Sequence, residues 1–256
     1  MADFSFAEEV LKSWGADVQA IPTSSKDESD WLACLDGFRL LVEEKTKVES
    51  PENIAARLAA LDRGEVHGSV SALTPNNRIS GIFTKAAKQL RSTGVDVAHD
   101  ARVVWFTSTG FNREVKDHQA FNTIYGCTKA FDLDVSASLR DCYFRYNSTF
   151  FRHQDLDGAV LLKAENGTGV IRLCLNPYGK NWQALRDSPF ALKLVNGLVD
   201  PMAQEADGQV MIVDTDIDRR EVQELLAYLS KKYGIHRLQF MDMNIATAVV
   251  SVPNDR

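Results

Sequence analysis

The dipeptide Asp36-Gly37 stands between two strand-like runs, Trp31-Leu32-Ala33-Cys34-Leu35 and Phe38-Arg39-Leu40-Leu41-Val42-Glu43-Glu44-Lys45. Asp-Gly between alternating apolar segments is among the strongest local signals for a two-residue β-hairpin, because both turn positions must accept positive φ. A two-residue turn fixes the pairing of everything behind it. Leu35 faces Phe38, Cys34 faces Arg39, Ala33 faces Leu40, Leu32 faces Leu41, Trp31 faces Val42 and Asp30 faces Glu43. With a side-chain period of two, Lys45 shares the face of Glu43. The other face carries Trp31, Ala33, Leu35, Phe38, Leu40 and Val42, all apolar, and must be buried. Asp36 belongs to the turn and cannot reach Glu43.

Two carboxylates opposed across a ladder destabilise it unless something neutralises them. A hard divalent cation does so, taking carboxylate and carbonyl oxygens together with water. A lysine beside that cation stabilises charge on a phosphate or orients an attacking water. Asp30, Glu43 and Lys45 are therefore the candidate catalytic group.

The surrounding elements can be read from pattern. Residues 4–14 place apolar groups at helical spacing and stop at Gly15; residues 18–21 form a short strand ended by Pro22. Ser50-Pro51 opens a helix to Asp62, as a capping residue followed by proline does. Residues 65–77 read as loop, 79–90 as a helix, 103–107 as a strand covered on both faces, and 116–131 as a helix. From residue 134 the texture changes. Strands are expected at 141–151, 158–164 and 169–175, with Asn166-Gly167 turning between the last two. A helix over 181–195, a strand at 210–213, a helix over 218–232 and strands at 237–241 and 247–252 follow. The fold class is mixed α/β, with a nuclease-like region over 1–133 and an α+β region over 134–256 whose strands are open to continuing the first sheet.

Asp30, twelve intervening residues, then Glu43-Glu44-Lys45 resembles the signature of the PD-(D/E)XK nuclease superfamily, with Ser29 where the proline of its name would stand. The order helix, short strand, hairpin, helix, apolar strand, helix is similar too, over about residues 4–131. The resemblance implies a restriction-endonuclease-like central sheet flanked by helices, and Mg²⁺- or Mn²⁺-dependent phosphodiester hydrolysis. It implies that Asp30, Glu43 and the main-chain carbonyl of Glu44 ligate the metal, and that Lys45 acts on the scissile phosphate or the water. An added acid comes from Glu8 or Glu9 of the first helix. Lys47, Lys85 and Lys88 are candidate phosphate contacts. Gln89 resembles the glutamine near the end of the helix that follows the hairpin. Nucleic acid, DNA ahead of RNA, is the implied partner, with residues 134–256 adding substrate contacts or a homo-oligomer or protein interface. The alternative is a nuclease-fold binding or scaffold protein without catalysis.

Composition bounds these readings. A net charge of −6 and a pI near 5.4 disfavour a protein living by tight non-specific phosphate contact, and weigh less against an enzyme that must release product. Cys34, Cys127, Cys142 and Cys174 lie far apart and the five histidines are scattered, which excludes a paired-ligand zinc motif. No apolar run reaches the ~20 residues of a membrane span, and the N-terminus has no secretory pattern, so the expected location is the cytoplasm. Arg140, Arg145, Arg152 and His153, interleaved with Tyr143, Phe144, Tyr146, Phe150 and Phe151, read either as core packing or as a surface that stacks bases.

Overall fold

A computed structural model describes residues 4–22, 28–133, 138–165, 168–241 and 246–253. The elements are, in chain order, α1 (Phe6–Ser13), β1 (Asp17–Ala20), β2 (Trp31–Leu35), β3 (Phe38–Lys47), α2 (Pro51–Asp62), β4 (His67–Ala72), α3 (Asn77–Asp96), β5 (Ala101–Ser108), α4 (Arg113–Tyr125), β6 (Thr128–Asp132), β7 (Ser138–Tyr143), α5 (Thr149–Arg152), β8 (Gly158–Glu165) and β9 (Thr168–Leu175). Then come α6 (Trp182–Arg186), α7 (Pro189–Leu192), β10 (Leu198–Val199), α8 (Pro201–Ala206), β11 (Val210–Ile212), α9 (Val222–Tyr233), β12 (Leu238–Met241) and β13 (Ala246–Ser251). The expected Asn166-Gly167 turn lies outside the described residues.

The protein is mixed α/β. Its main sheet has the order β1-β2-β3-β5-β8-β9-β10, with β3, β5 and β8 parallel to one another. The β2–β3 hairpin pairs in the register set by the turn, from Leu35↔Phe38 to Trp31↔Val42. Both turn residues have positive φ, 49° at Asp36 and 83° at Gly37, the mirror-image turn that matches strand twist.

Each face of this sheet buries its own core. On one side Leu41, Val104, Phe106 and Leu161 pack with Phe83, Ala86 and Leu90 of α3 and Ala120, Ile124 and Tyr125 of α4. On the other, Leu40, Val42, Val103, Trp105 and Val160 pack with Ala7 and Leu11 of α1, Leu185 of α6 and Phe190 of α7. β5 lies between the two cores and is buried almost throughout, as a parallel strand covered on both faces should be. Two successive crossovers in one direction put α3 and α4 on the same face, as right-handed connections require.

A second sheet, β11-β7-β6-β12, packs its apolar side into the α3/α4 core. The change of texture at residue 134 does not separate the sheets: β8, β9 and β10 continue the first sheet, the option the sequence left open, and one core draws residues from Leu41 to Leu238. Other expectations also change. Residues 65–77 include β4, which pairs with β13; its partner is some 180 residues away, so no local pattern announces it. The helix read over 116–131 runs over Arg113–Tyr125 instead, because Gly126 takes the left-handed conformation at φ 60° and ends it. A side chain at that glycine would collide with the Tyr146 carbonyl. The strand read to residue 151 ends at Tyr143, where Phe144 turns to φ 62°. The helix read over 181–195 is broken by Ser188-Pro189 into α6 and α7, since proline cannot donate within a helix.

Glu44 ties α1 to the sheet. Its side chain points to the α1 face, opposite Glu43, and accepts from the backbone N–H of Phe6 at 2.9 Å and of Ala7 at 3.1 Å. It also accepts from the indole of Trp31 at 3.2 Å and from the Ser5 hydroxyl. A carboxylate at a helix N-terminus satisfies orphan donors and complements the dipole. Glu44→Ala is expected to lower unfolding free energy by about 2–3 kcal/mol, because it strands buried donors; urea denaturation of the variant measures this.

Candidate metal centre

The hairpin brings two acids together where β2 ends and β3 continues. Beyond the last β2–β3 pair, Trp31↔Val42, Asp30 remains beside β3 and its carboxylate accepts from the Glu44 backbone N–H at 2.7 Å. The N–H and C=O of one strand residue point the same way, so the Glu44 carbonyl is directed to the side where Asp30 lies. Glu43 is fully buried on the α3 face. One of its oxygens contacts the Lys45 ammonium, and the other, Oε2, is buried without a hydrogen-bond partner.

Electrostatics agree with this geometry. Burial pushes the Glu43 pKa up to about 7; the hydrogen bond from Lys45 opposes that, while the Asp30 charge adds to it. Glu43 thus senses the Asp30 carboxylate as a neighbouring charge. Lys45 keeps 28% of its side-chain surface exposed, so the site opens to solvent on the lysine side.

α3 holds the approach to Asp30. Gln89 Nε2 donates to the Glu28 carbonyl at 3.1 Å, and the Ser29 backbone N–H donates to the Thr93 hydroxyl at 2.7 Å. The oxygen of Gln89 is buried without a partner. Gln89 is therefore placed to position the segment entering Asp30. Thr93 escaped sequence reading because the helix read to Leu90 runs on to Asp96; its hydroxyl one turn beyond Gln89 was the available signal.

Asp30, Glu43, Lys45 and the Glu44 backbone are brought together; other candidates are not. Glu8 pairs with Lys12 on the surface of α1 at 2.6 Å. Glu9 lines a separate cavity with Phe6, Arg57 and Arg113, because Glu44 anchors α1 on the face opposite Glu43. Lys85 and Lys88 are exposed on α3, away from the side that packs Phe83, Ala86, Ala87 and Leu90 on the sheet. Lys47 is exposed on the Glu43 face, two residues past Lys45. The basic and aromatic stretch around residue 145 belongs largely to the core. Tyr143, Phe144 and Phe150 are buried with Tyr125, and the buried Arg145 guanidinium lies over Tyr146 and Phe240.

The donor set fits a hard divalent cation: two carboxylates, one with an unpartnered buried oxygen, and an adjacent backbone carbonyl. Among the described residues there is no cluster of three or more His, Cys, Asp or Glu side chains that could hold a metal, so the carbonyl and water would complete the shell. All four cysteines are free. No described helix is long and apolar enough to cross a membrane.

A scan of protein-family models and searches of curated proteins and solved structures find no match to this chain.

Proposed function

We propose that the protein is a divalent-metal-dependent nuclease of the PD-(D/E)XK type, with Asp30 and Glu43 as side-chain ligands and Lys45 as the phosphate-facing cation. The observation that carries this reading is the convergence of Asp30 and Glu43 at a strand end, with one Glu43 oxygen buried and unpartnered. An apolar or amide residue would suit that position better in a protein with no cation to bind.

Each group has a defined task. Asp30 is oriented by the Glu44 N–H, so that its carboxylate is fixed before any ligand arrives. Glu43, buried against α3, excludes water from one side of the site. Bound Mg²⁺ or Mn²⁺ would supply Lewis acidity toward a phosphoryl oxygen and a nucleophile at neutral pH. Lys45 exchanges its contact with Glu43 for a phosphoryl oxygen, holding positive charge where negative charge develops. Nucleic acid, DNA ahead of RNA, is the substrate class. The test is Mg²⁺- or Mn²⁺-dependent cleavage of DNA and RNA by the purified protein and its Glu43 and Lys45 variants.

A second reading, a nuclease-fold binding or scaffold protein without catalysis, is favoured by one observation. Glu43 and Lys45 already contact each other, which a protein without a cation would retain as a structural pair. It predicts no divalent-ion site that depends on Asp30.

A further inference from the structure

A second basic group lies at the carboxyl ends of the parallel strands, on the face of Glu43. Lys45 and Lys47 are two residues apart on β3, about 6.6 Å along an extended strand, close to one step between phosphates of an extended polynucleotide. Lys47 pairs with Ser108 of β5, and Ser108 with Lys163 of β8. Between those lysines the Ser108 hydroxyl is buried with no partner among the described residues. Thr109 joins Lys47 to α4: its N–H donates to the Lys47 carbonyl at 3.1 Å, and its carbonyl accepts from the Lys116 ammonium at 3.3 Å. Burial lowers the Lys116 pKa; Glu49 opposes this and the nearby Lys47 charge adds to it. Lys163 is committed to Glu114 at 2.8 Å, whereas the Lys47 ammonium is exposed and has no ion-pair or hydrogen-bond partner among the described residues. Lys116 thus lies within electrostatic reach of both Lys47 and the Glu49 carboxylate, which is itself paired with Arg57 at 3.0 Å.

We infer that Lys47 and Lys116 form a subsite for the phosphate next to the scissile one, so that the strand being cut runs along β3 toward the start of α4. The inference rests on the nuclease reading and deepens it. The substrate is a polynucleotide strand with at least one flanking phosphate, rather than an isolated phosphodiester. Lys116 could have been found in the sequence only by starting α4 after β5, where crossover helices bring their first turn to the carboxyl ends of parallel strands.

The test compares two substrates. An end-labelled single-stranded oligodeoxynucleotide is titrated by fluorescence anisotropy over a salt series, with Ca²⁺ replacing Mg²⁺, and is then cleaved with Mn²⁺; bis(p-nitrophenyl) phosphate serves as a diester without flanking phosphate. Lys47→Ala and Lys116→Gln should each weaken oligonucleotide binding about tenfold and reduce the slope of log affinity against log salt by about 0.7. Their loss of oligonucleotide cleavage should exceed their loss on the small diester by about tenfold or more. Lys193→Ala, an exposed lysine at the end of α7, should leave the slope as in wild type. Unchanged slopes, or equal losses on both substrates, overturn the subsite. If wild type cleaves and Glu43→Ala does not, while both lysine variants behave as wild type, only the subsite fails. Wild type that neither binds nor cleaves removes the nuclease reading and the subsite with it.

Discussion

Glu43→Ala and Lys45→Ala are each expected to reduce Mg²⁺- or Mn²⁺-dependent cleavage of nucleic acid by about 10³-fold or more, with the fold intact. The two losses have different origins. Glu43 supplies a ligand oxygen from a fully buried position, so its removal should abolish dependence on the ion. Lys45 supplies charge at the phosphate, so its removal should leave ion binding and lower kcat. Near-ultraviolet circular dichroism checks that both variants fold, and cleavage of labelled DNA and RNA reads the rate. Wild-type rates in both variants would end the assignment of this site.

The second large effect is on stability and follows from the same carboxyl. The folded-state pKa of Glu43 is pushed up to about 7 from an ordinary value near 4.5. Between those values the folded protein holds a proton that the unfolded chain has released. Stability without metal therefore falls as pH rises through this window and levels off above it. Glu43→Gln removes the titration, so it should stabilise the metal-free protein at pH 8 by about 1–3 kcal/mol. The cost of separating Lys45 stays small because that ammonium reaches solvent. Bound cation and proton compete for the same oxygens. Addition of Mn²⁺ should accordingly raise the wild-type Tm more at pH 8 than at pH 5.5, and should not raise that of Glu43→Gln. Thermal unfolding at the two pH values, with and without Mn²⁺, measures all of this; a Glu43→Gln protein less stable than wild type at pH 8 would contradict it.

The hairpin was legible because its information is local. Asp36-Gly37 fixes the turn, the turn fixes Trp31 against Val42, and the period of two puts Glu43 and Lys45 on one face. Apolar residues at Leu40, Val42 and Leu41 then bind that hairpin to helices on both sides. What was not legible depends on distant chain. β4 is a strand only because β13 pairs with it, and residues 158–199 return to the first sheet although nothing local marks them as its continuation. The same distinction holds at the site. Asp30 and Glu43 follow from register, but the reach of Gln89 to Glu28 and of Thr93 to Ser29 depends on how α3 crosses the hairpin. Glu9 enters only through the resemblance, which implies an added acid from the first helix. The carboxylate of Glu44, one residue from Glu43 and hence on the other face, fixes α1 where Glu9 cannot join.

Calorimetric titration of Mn²⁺ into the metal-free protein at pH 8, beside Asp30→Asn and Glu43→Gln, tests the paired-carboxylate centre most directly. The geometry predicts a saturable site in the wild type that is lost in both variants, since each removes one of the two side-chain ligands. A wild type without such a site, or a site that persists unchanged in Asp30→Asn, would contradict it.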